Sequence, residues 1–513
     1  MAMKNTTPPN PTTQSQIPNP AQSQLPHIDK SSAPTAKIDL KADSIPKLFF
    51  YYFIPALLAM LALSTYSTID GIFVGKKVGE NGLAAIGICW PIFPAFIAYE
   101  LLFGFGGAAI VGYFLGKDHA YRARLVFCSI FYFVAISSVF IGIVGFCFAD
   151  FIITALTANK PISSEIKDFA LAYIKVIFLG TPMLILHPLC DIFVINDKRP
   201  ILASIAMIVG SASNIVLNYV FLFVCDMGIE GSALATVSAH LIGFVVLFSH
   251  FISHKGKLFF IPRFSIASII SSAKSGIPES IAEVSAAAVM LLFNVTLLQI
   301  AGDDGVKIYS IMMYCGIVFF TVLLSVSQAL QPIASFNYGA GNFARLKIAF
   351  LFSLAMVVAI GVGIYALFYG FDRYLVELFL QKEDSTLVQS SLVNSALAHS
   401  SLAERTIEAM SIYYIGYVIF GINIVCAIFL QSVQRTVSSF IITICYTILF
   451  LAILLPPLSH TYGIDGAWAS YPLSQVCAFV VAFGVMCYEW RYGIFSGEIP
   501  SGATLWKRRK HRG

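Results

Sequence analysis

Apolar runs long enough to cross a bilayer recur about twelve times along this chain. They fall near 46–72, 83–115, 122–148, 168–195, 200–225, 230–252, 267–300, 306–335, 344–370, 408–432, 436–458 and 465–490. A helix needs roughly 20 apolar residues to span the hydrocarbon core. Inside lipid, every backbone N–H and C=O must also find its partner within the protein. The runs therefore predict an all-α polytopic membrane protein with twelve transmembrane helices. Composition agrees: only 12% of residues are charged, where a soluble domain carries roughly 25%. Several runs exceed bilayer length, which predicts tilted or protruding helices.

The positions of the basic residues set the orientation. With the amino terminus inside, the inner loops and tails hold 23 Lys and Arg, among them Lys117, Lys198, Arg199, Arg345 and Arg435, against eight in the outer loops. That bias predicts both termini in the cytoplasm. Residues 1–44, rich in Pro, Gln, Ser and Thr, read as a disordered tail without a cleavable signal peptide. Spans 1–6 occupy 45–255, a cytoplasmic linker 256–266, spans 7–12 267–492, and a basic tail 493–513. The terminal KRRKHR reads as an anchor to anionic lipid. The formal charge of +5 is too small to imply a nucleic-acid partner. None of the ten Cys forms a CxxC pair, so neither a disulfide framework nor a metal site is expected.

The chain repeats itself. GENG at Gly79–Gly82 returns as GDDG at Gly302–Gly305, and at the same offset Gly116 meets Gly339 and Arg122 meets Arg345. CDIFVINDKR (190–199) returns as CAIFLQSVQR (426–435), and MGIEGSA (227–233) as YGIDGAW (462–468). Six spans per repeat is an even number, so both halves insert the same way. Two six-helix lobes related by a pseudo-two-fold axis along the membrane normal follow, with alternating access by rocking of the lobes. A longer outer loop, about 381–406, separates spans in the second half.

Polar residues at membrane depth carry the functional signal. Asp70 closes the first span, fifteen residues after the helix-bending Pro55. An acid in a membrane span costs about 2.5–3.5 kcal/mol on insertion scales. It either faces the protein interior or caps the helix at the surface, where Lys76 and Lys77 follow. Asn214 and Asn218 are four apart, hence on one helix face. Thr236 ends the small-residue run GSALAT. With Asp70 these make an oxygen-rich set suited to a proton or a hard monovalent cation, or else interhelical hydrogen bonds worth about 0.6 kcal/mol each. In the second half, Glu283, Asn294, Gln328 and Gln331 could line a cavity. Asp70 has no acidic counterpart there: its repeat partner is Phe293. His187 and Asp191, in HPLCD, are the only candidate catalytic pair, and Pro188 disturbs the helix between them.

These features resemble the MATE family of multidrug and toxic compound extrusion transporters, in its bacterial branch. The likeness rests on Pro55 and Asp70 with IDGIFVG, NIVLN at 214–218, MGIEGSALAT ending at Thr236, and QPIASFNYGAGNFAR at 331–345. It implies a two-lobed exporter in the bacterial cytoplasmic membrane, driven by H⁺ or Na⁺ antiport. Its substrates would be amphipathic, often cationic compounds, and it would have no cofactor and act as a monomer. It places Asp70, Asn214, Asn218 and Thr236 on the family's cation site and Pro55 on its first-helix bend. The family commonly has Asp where this chain has Asn218, which removes one charge and makes a sodium cage poorer. Two other readings are a lipid-linked sugar flippase of similar layout, and an integral-membrane enzyme using His187 and Asp191. The flippase reading calls for more intramembrane Arg and Lys than Lys175 alone supplies.

Overall fold

The computed structural model describes residues 38–157, 162–380 and 392–494, apart from the side chains of Tyr66, Ser67, Asp372, 375–380 and 392–401. Among them all regular structure is helical: α1 (Ile45–Lys77), α2 (Glu80–Cys89), α3 (Ile92–Gly116), α4 (Ala120–Cys147), α5 (Ala149–Leu156), α6 (Ser164–Asn196), α7 (Pro200–Tyr219), α8 (Ile229–Ile252), α9 (Ile266–Gly339), α10 (Phe343–Leu380), α11 (Leu392–Tyr413), α12 (Ile415–Ser432), α13 (Thr436–Ile444) and α14 (Phe450–Tyr488). Among the described residues ten stretches are long and apolar enough to span a membrane. Two of them, Ile266–Gly339 and Thr436–Gly493, are too long for one crossing, and each is broken by one glycine in the left-handed region. These are Gly302 (φ 60°) and Gly463 (φ 62°). The breaks give twelve crossings. An L side chain would be strained at either hinge.

The internal repeat is written into the backbone. Left-handed residues recur in pairs at the offsets of the sequence motifs: Gly79 with Gly302, Asp118 with Gly341, Lys198 with Gln434, and Gly228 with Gly463. Each pair turns the chain between equivalent helices of the two lobes. Three of these eight turn residues are not glycine and bear the cost of the left-handed conformation.

The lobes meet where α3 crosses both arms of α9. Gly106 abuts Ser272 and Gly276, Gly276 abuts the Leu102 carbonyl, Gly116 the Phe336 carbonyl, and Gly339 the Tyr113 carbonyl. No Cβ fits at these positions, so glycine alone lets the backbones approach. The interlobe bonds gather at the end bearing Gly116 and Gly339. Asn196 Nδ2 donates to Gln331 Oε1 at 3.1 Å, the Lys198 ammonium lies 5.0 Å from the Phe336 ring, and Tyr113 sits 5.8 Å from Tyr338. At the opposite end Lys77–Asp226 (2.8 Å), Asn81–Glu165 (2.8 Å) and Arg405–Asp304 (3.8 Å) each close within one lobe.

Two boundaries differ from the sequence reading. The end of the expected tail, 38–44, is packed: Ile38 and Leu40 are buried, and Arg345 donates to the carbonyls of Leu40 and Asp43. Lys41 also pairs with Asp118 at 2.5 Å, so this strap ties α10 to the α3–α4 turn. Two buried apolar side chains in a polar stretch are a signal that hydropathy averaging hides. The second half of the expected 381–406 loop is helix, as α11 begins at Leu392 and the chain breaks again at Tyr414. The rest of that loop (381–391), the tail 1–37 and the basic tail from 495 lie outside the described residues.

The hydrogen bond from Lys41 holds the Asp118 carboxyl below its usual range. A depressed carboxylate stabilises above its unfolded pKa and stops doing so only as pH falls through the lower folded value. The strap should therefore stay docked from pH 8 to pH 5 and loosen instead with salt; limited proteolysis at 38–44 across both series checks this.

The linker after α8 is fastened to the first lobe by Asp197. Its buried carboxylate accepts from Lys257 N (2.9 Å) and Leu258 N (3.0 Å) and pairs with His250 Nε2 at 2.9 Å. Removing one partner of a buried hydrogen-bonded pair costs about 3–5 kcal/mol. Asp197→Ala is expected to lower the melting temperature in detergent by several degrees, where Lys255→Ala on the exposed side of the linker leaves it unchanged.

Candidate functional site

Three helices of the first lobe converge on one polar nest. Asp70 lies two turns before the end of α1, Asn214 and Asn218 sit one turn apart on α7, and Ser232 and Thr236 one turn apart on α8. Spacing by four turns each pair toward the same neighbour. Directly after Asn218 the helix widens into a π-turn, Val220–Val224, a feature common at functional sites. Gly228 (φ 62°) then reverses the chain into α8, whose first turns are small and buried.

The nest is a chain of hydrogen bonds. Ser232 Oγ donates to Asp70 Oδ1 at 2.8 Å, and the Asn218 side chain reaches the same carboxylate. Asn218 Nδ2 donates to Asn214 Oδ1 at 3.0 Å, and Asn214 Nδ2 to Thr236 Oγ1 at 3.4 Å. Asn214, Asn218, Ser232 and Thr236 are buried, and Asp70 is half-buried. Asn218 Oδ1 is buried with no partner in the protein. All groups aimed at the carboxylate are neutral, so a proton or one monovalent cation balances the site. Buried acceptors without a donor cost about 1–3 kcal/mol, and an O–H on Asp70 or a hard cation would satisfy Asn218 Oδ1 equally. The amides also bond each other, which leaves fewer oxygens for a metal ion than the four residue names suggest.

The structure thus brings together Asp70, Asn214, Asn218 and Thr236. Ser232, which donates directly to the acid, joins them, and its spacing of four from Thr236 is the one signal of it in the sequence. Pro55 is buried in α1, which runs as one helix across it, although proline has no N–H for the Tyr51 carbonyl. The expected second-lobe cavity residues are spread over both arms of α9, Glu283 and Asn294 before the Gly302 break and Gln328 and Gln331 after it. Asn294 lines an open cleft with Val295, Leu298 and Asp303 at the Gly302 hinge. Gln331 is spent on Asn196 at the other end of the molecule. Gln328 is half-buried on the same arm as Gln331, and Glu283 lies at the lobe boundary. Where the first lobe has Asp70, the second has rings: Phe293 stacks on Tyr309 at 5.1 Å and meets Tyr413 at 5.8 Å. Tyr413 in turn stacks on Tyr471, the repeat partner of Thr236, at 4.3 Å.

The boundary between the lobes is acidic. Glu100 on α3 is buried, its Oε1 lying over Gly104 and without a partner in the protein, and Asp191 and Glu283 are in electrostatic reach. Glu279, also buried with Oε1 unpartnered, faces Glu283. Lys175 is exposed, its ammonium 5.9 Å from the Phe146 ring. His187 and Asp191 share no hydrogen bond, as both ring nitrogens of His187 lack a protein partner. Among the described residues no cluster of His, Cys, Asp and Glu could hold a metal ion.

Two repeated six-helix lobes in a membrane, with buried polar groups on the faces of the first, are the architecture of a transporter rather than an enzyme. The family model described as MatE matches residues 55–220 and 278–456, more than half of the chain. The chain belongs to that family, as a multi-pass membrane protein. Among curated relatives, Multidrug export protein MepA of Staphylococcus haemolyticus (strain JCSC1435) is 22% identical over 453 residues, covering 86% of this chain and 93% of MepA. Among solved structures, one described as the outward-facing conformation of a multidrug resistance MATE family transporter of the MOP superfamily superposes with a TM-score of 0.78. It is 21% identical and covers 86% of this chain and 95% of that one. A MATE structure in complex with MaL6 gives a TM-score of 0.79 at 21% identity, covering 86% and 96%. These structures share the twelve-helix, two-lobed fold.

Proposed function

We propose that this chain is a multidrug exporter of the bacterial cytoplasmic membrane, coupled to cation entry through Asp70. The observation that carries the reading is the Asp70 nest: one acid at membrane depth, held by Ser232 and Asn218, with an unfilled acceptor beside it. The likeness to a multidrug export protein across most of both chains supports the substrate class. So do the acidic lobe faces, which suit a cationic substrate and would repel the pyrophosphate of a lipid-linked sugar.

The basic residues put the closed end, with Gly116, Lys198 and Gly339, on the cytoplasmic side. In this arrangement the lobes are sealed inward, and Asp70 takes up its cation from outside. Neutralising the carboxylate loosens its tie to Ser232 and Asn218, freeing α1 to move against α7 and α8. The lobes then rock, the cation leaves inward, and the restored charge favours an amphipathic cation from the cytoplasm. Because Asn214 Oδ1 already accepts from Asn218 and Thr236 Oγ1 from Asn214, the nest offers few free oxygens, and a proton suits it better than Na⁺. The exporter works as a monomer with no cofactor beyond the coupling ion.

Dye efflux from proteoliposomes under separately imposed gradients tests this. An inward pH gradient at equal Na⁺ should drive efflux; drive by Na⁺ alone at fixed pH assigns the other ion, and drive by neither refutes antiport.

A further inference from the structure

One to two turns further along α1, α7 and α8 from Asp70, away from the Gly79 and Gly228 turns, lies a small cavity. It is lined by Leu63, His187, Met207, Gly210, Ser211, Ala239 and His240. Space open to the centre of a water amounts to about 10 Å³, which fits a single molecule. His187, on α6, is buried, and neither Nδ1 nor Nε2 has a partner in the protein. Ser211 Oγ, on α7, is likewise buried and unpartnered. The His240 ring, on α8, stands edge-on to His187 with centroids 5.4 Å apart.

His240 Nδ1 lies 2.9 Å from the Thr236 carbonyl oxygen, so Nδ1 carries a proton and Nε2 is left as an acceptor. Two glycines make the room. Gly243 lies against the His187 imidazole so closely that no Cβ fits, and Gly210 faces its Cε1. A neutral imidazole always presents one N–H and one lone pair. A water between His187, His240 and Ser211 finds the two to four polar partners that buried waters have. Thr236 then joins this trio to the Asp70 nest, because its Oγ1 accepts from Asn214 while its carbonyl accepts from His240.

We propose that His187, His240 and Ser211 hold one ordered water and form a second proton-binding site of the first lobe, coupled to Asp70 through Thr236 and Asn214. The proton taken up is shared between the two imidazoles across the water. The groups facing His187 are His240 from α8, Ser211 and Met207 from α7 and Leu63 from α1, with Asp191 one turn along its own helix. The added positive charge lies on the same hydrogen-bonded chain as Asp70 and disfavours a second cation there. Occupation of the histidine site therefore helps expel the cation from Asp70 in the inward-facing state. This deepens the reading of Asp70 as the coupling residue and rests on it.

Efflux under a pH gradient and gradient-free substrate exchange, measured in the same proteoliposomes, separate the outcomes. His187→Gln keeps hydrogen-bonding groups for the water but cannot take a proton. It should slow proton-driven efflux at least tenfold and flatten its pH profile, while exchange changes less than twofold. Ser211→Ala, which removes only the third partner of the water and preserves packing, should slow driven efflux several-fold with exchange retained. If Asp70→Asn is inactive but His187→Gln and Ser211→Ala match wild type, the histidine site is refuted and the Asp70 reading stands. A parallel loss of efflux and exchange in both variants makes the trio a packing element and refutes the site too. If Asp70→Asn itself drives efflux normally, both readings fall.

Discussion

Asp70→Asn is expected to reach the membrane at the wild-type level and to export drug no faster than cells lacking the protein. Asn is nearly isosteric and can still accept from Ser232, though more weakly than a carboxylate, so the variant is expected to fold but to stay in the loosened, neutral arrangement. What disappears is the difference between a charged and a neutral side chain. Moving a two-state equilibrium from 1:99 to 99:1 takes about 5.5 kcal/mol of differential binding, and a permanently neutral residue supplies none to the coupling ion. A fluorescent-tag count of membrane protein alongside dye efflux checks both halves of the expectation. Export at half the wild-type rate or better would remove Asp70 from the coupling step.

Gly339→Leu is the second large effect. At Gly339 a Cβ meets the Tyr113 carbonyl, and at Gly116, its repeat partner, a Cβ meets the Phe336 carbonyl. Overpacking a side chain typically costs about 1–3 kcal/mol, and here the obstacle is backbone, which has no rotamer to yield. The closed end cannot seal, so export should fall more than tenfold while dye leaks back along the gradient. Gly341→Leu is the paired control for strain: nothing crowds that position, and only its left-handed φ of 71° resists a side chain. Export falling equally in both variants would assign the effect to helix ends in general rather than to the seal.

The twelve spans were legible because hydropathy is a property of a run of residues. The pseudo-symmetry was legible because its turns require particular residues: GENG and GDDG, MGIEG and YGIDG place glycine at the same left-handed hinge in each lobe. The Asp70 nest was legible through spacing on α7 and through the family resemblance. Ser232 was not, because one serine in a run of small residues looks like any other until α1 is laid beside it. The interlobe role of Gln331 was not legible for a similar reason. Gln331 meets a partner 135 residues away, and no local pattern in QALQPIASFNYGAGN distinguishes a cavity-facing amide from one that joins the lobes. The strap at 38–44 escaped because its two apolar residues are too few to move a composition average.

If Asp70 is where cation and substrate exclude one another, the two ligands must be linked thermodynamically, each weakening the other by the same factor. The direct measurement is the dissociation constant of a fluorescent substrate on purified protein as a function of pH, at fixed Na⁺, for wild type and Asp70→Asn. Wild-type affinity should weaken steadily on acidification as protonation removes the charge the substrate competes for. The Asp70→Asn curve should be flat over the same range. A pH slope of equal size in the variant would contradict the account.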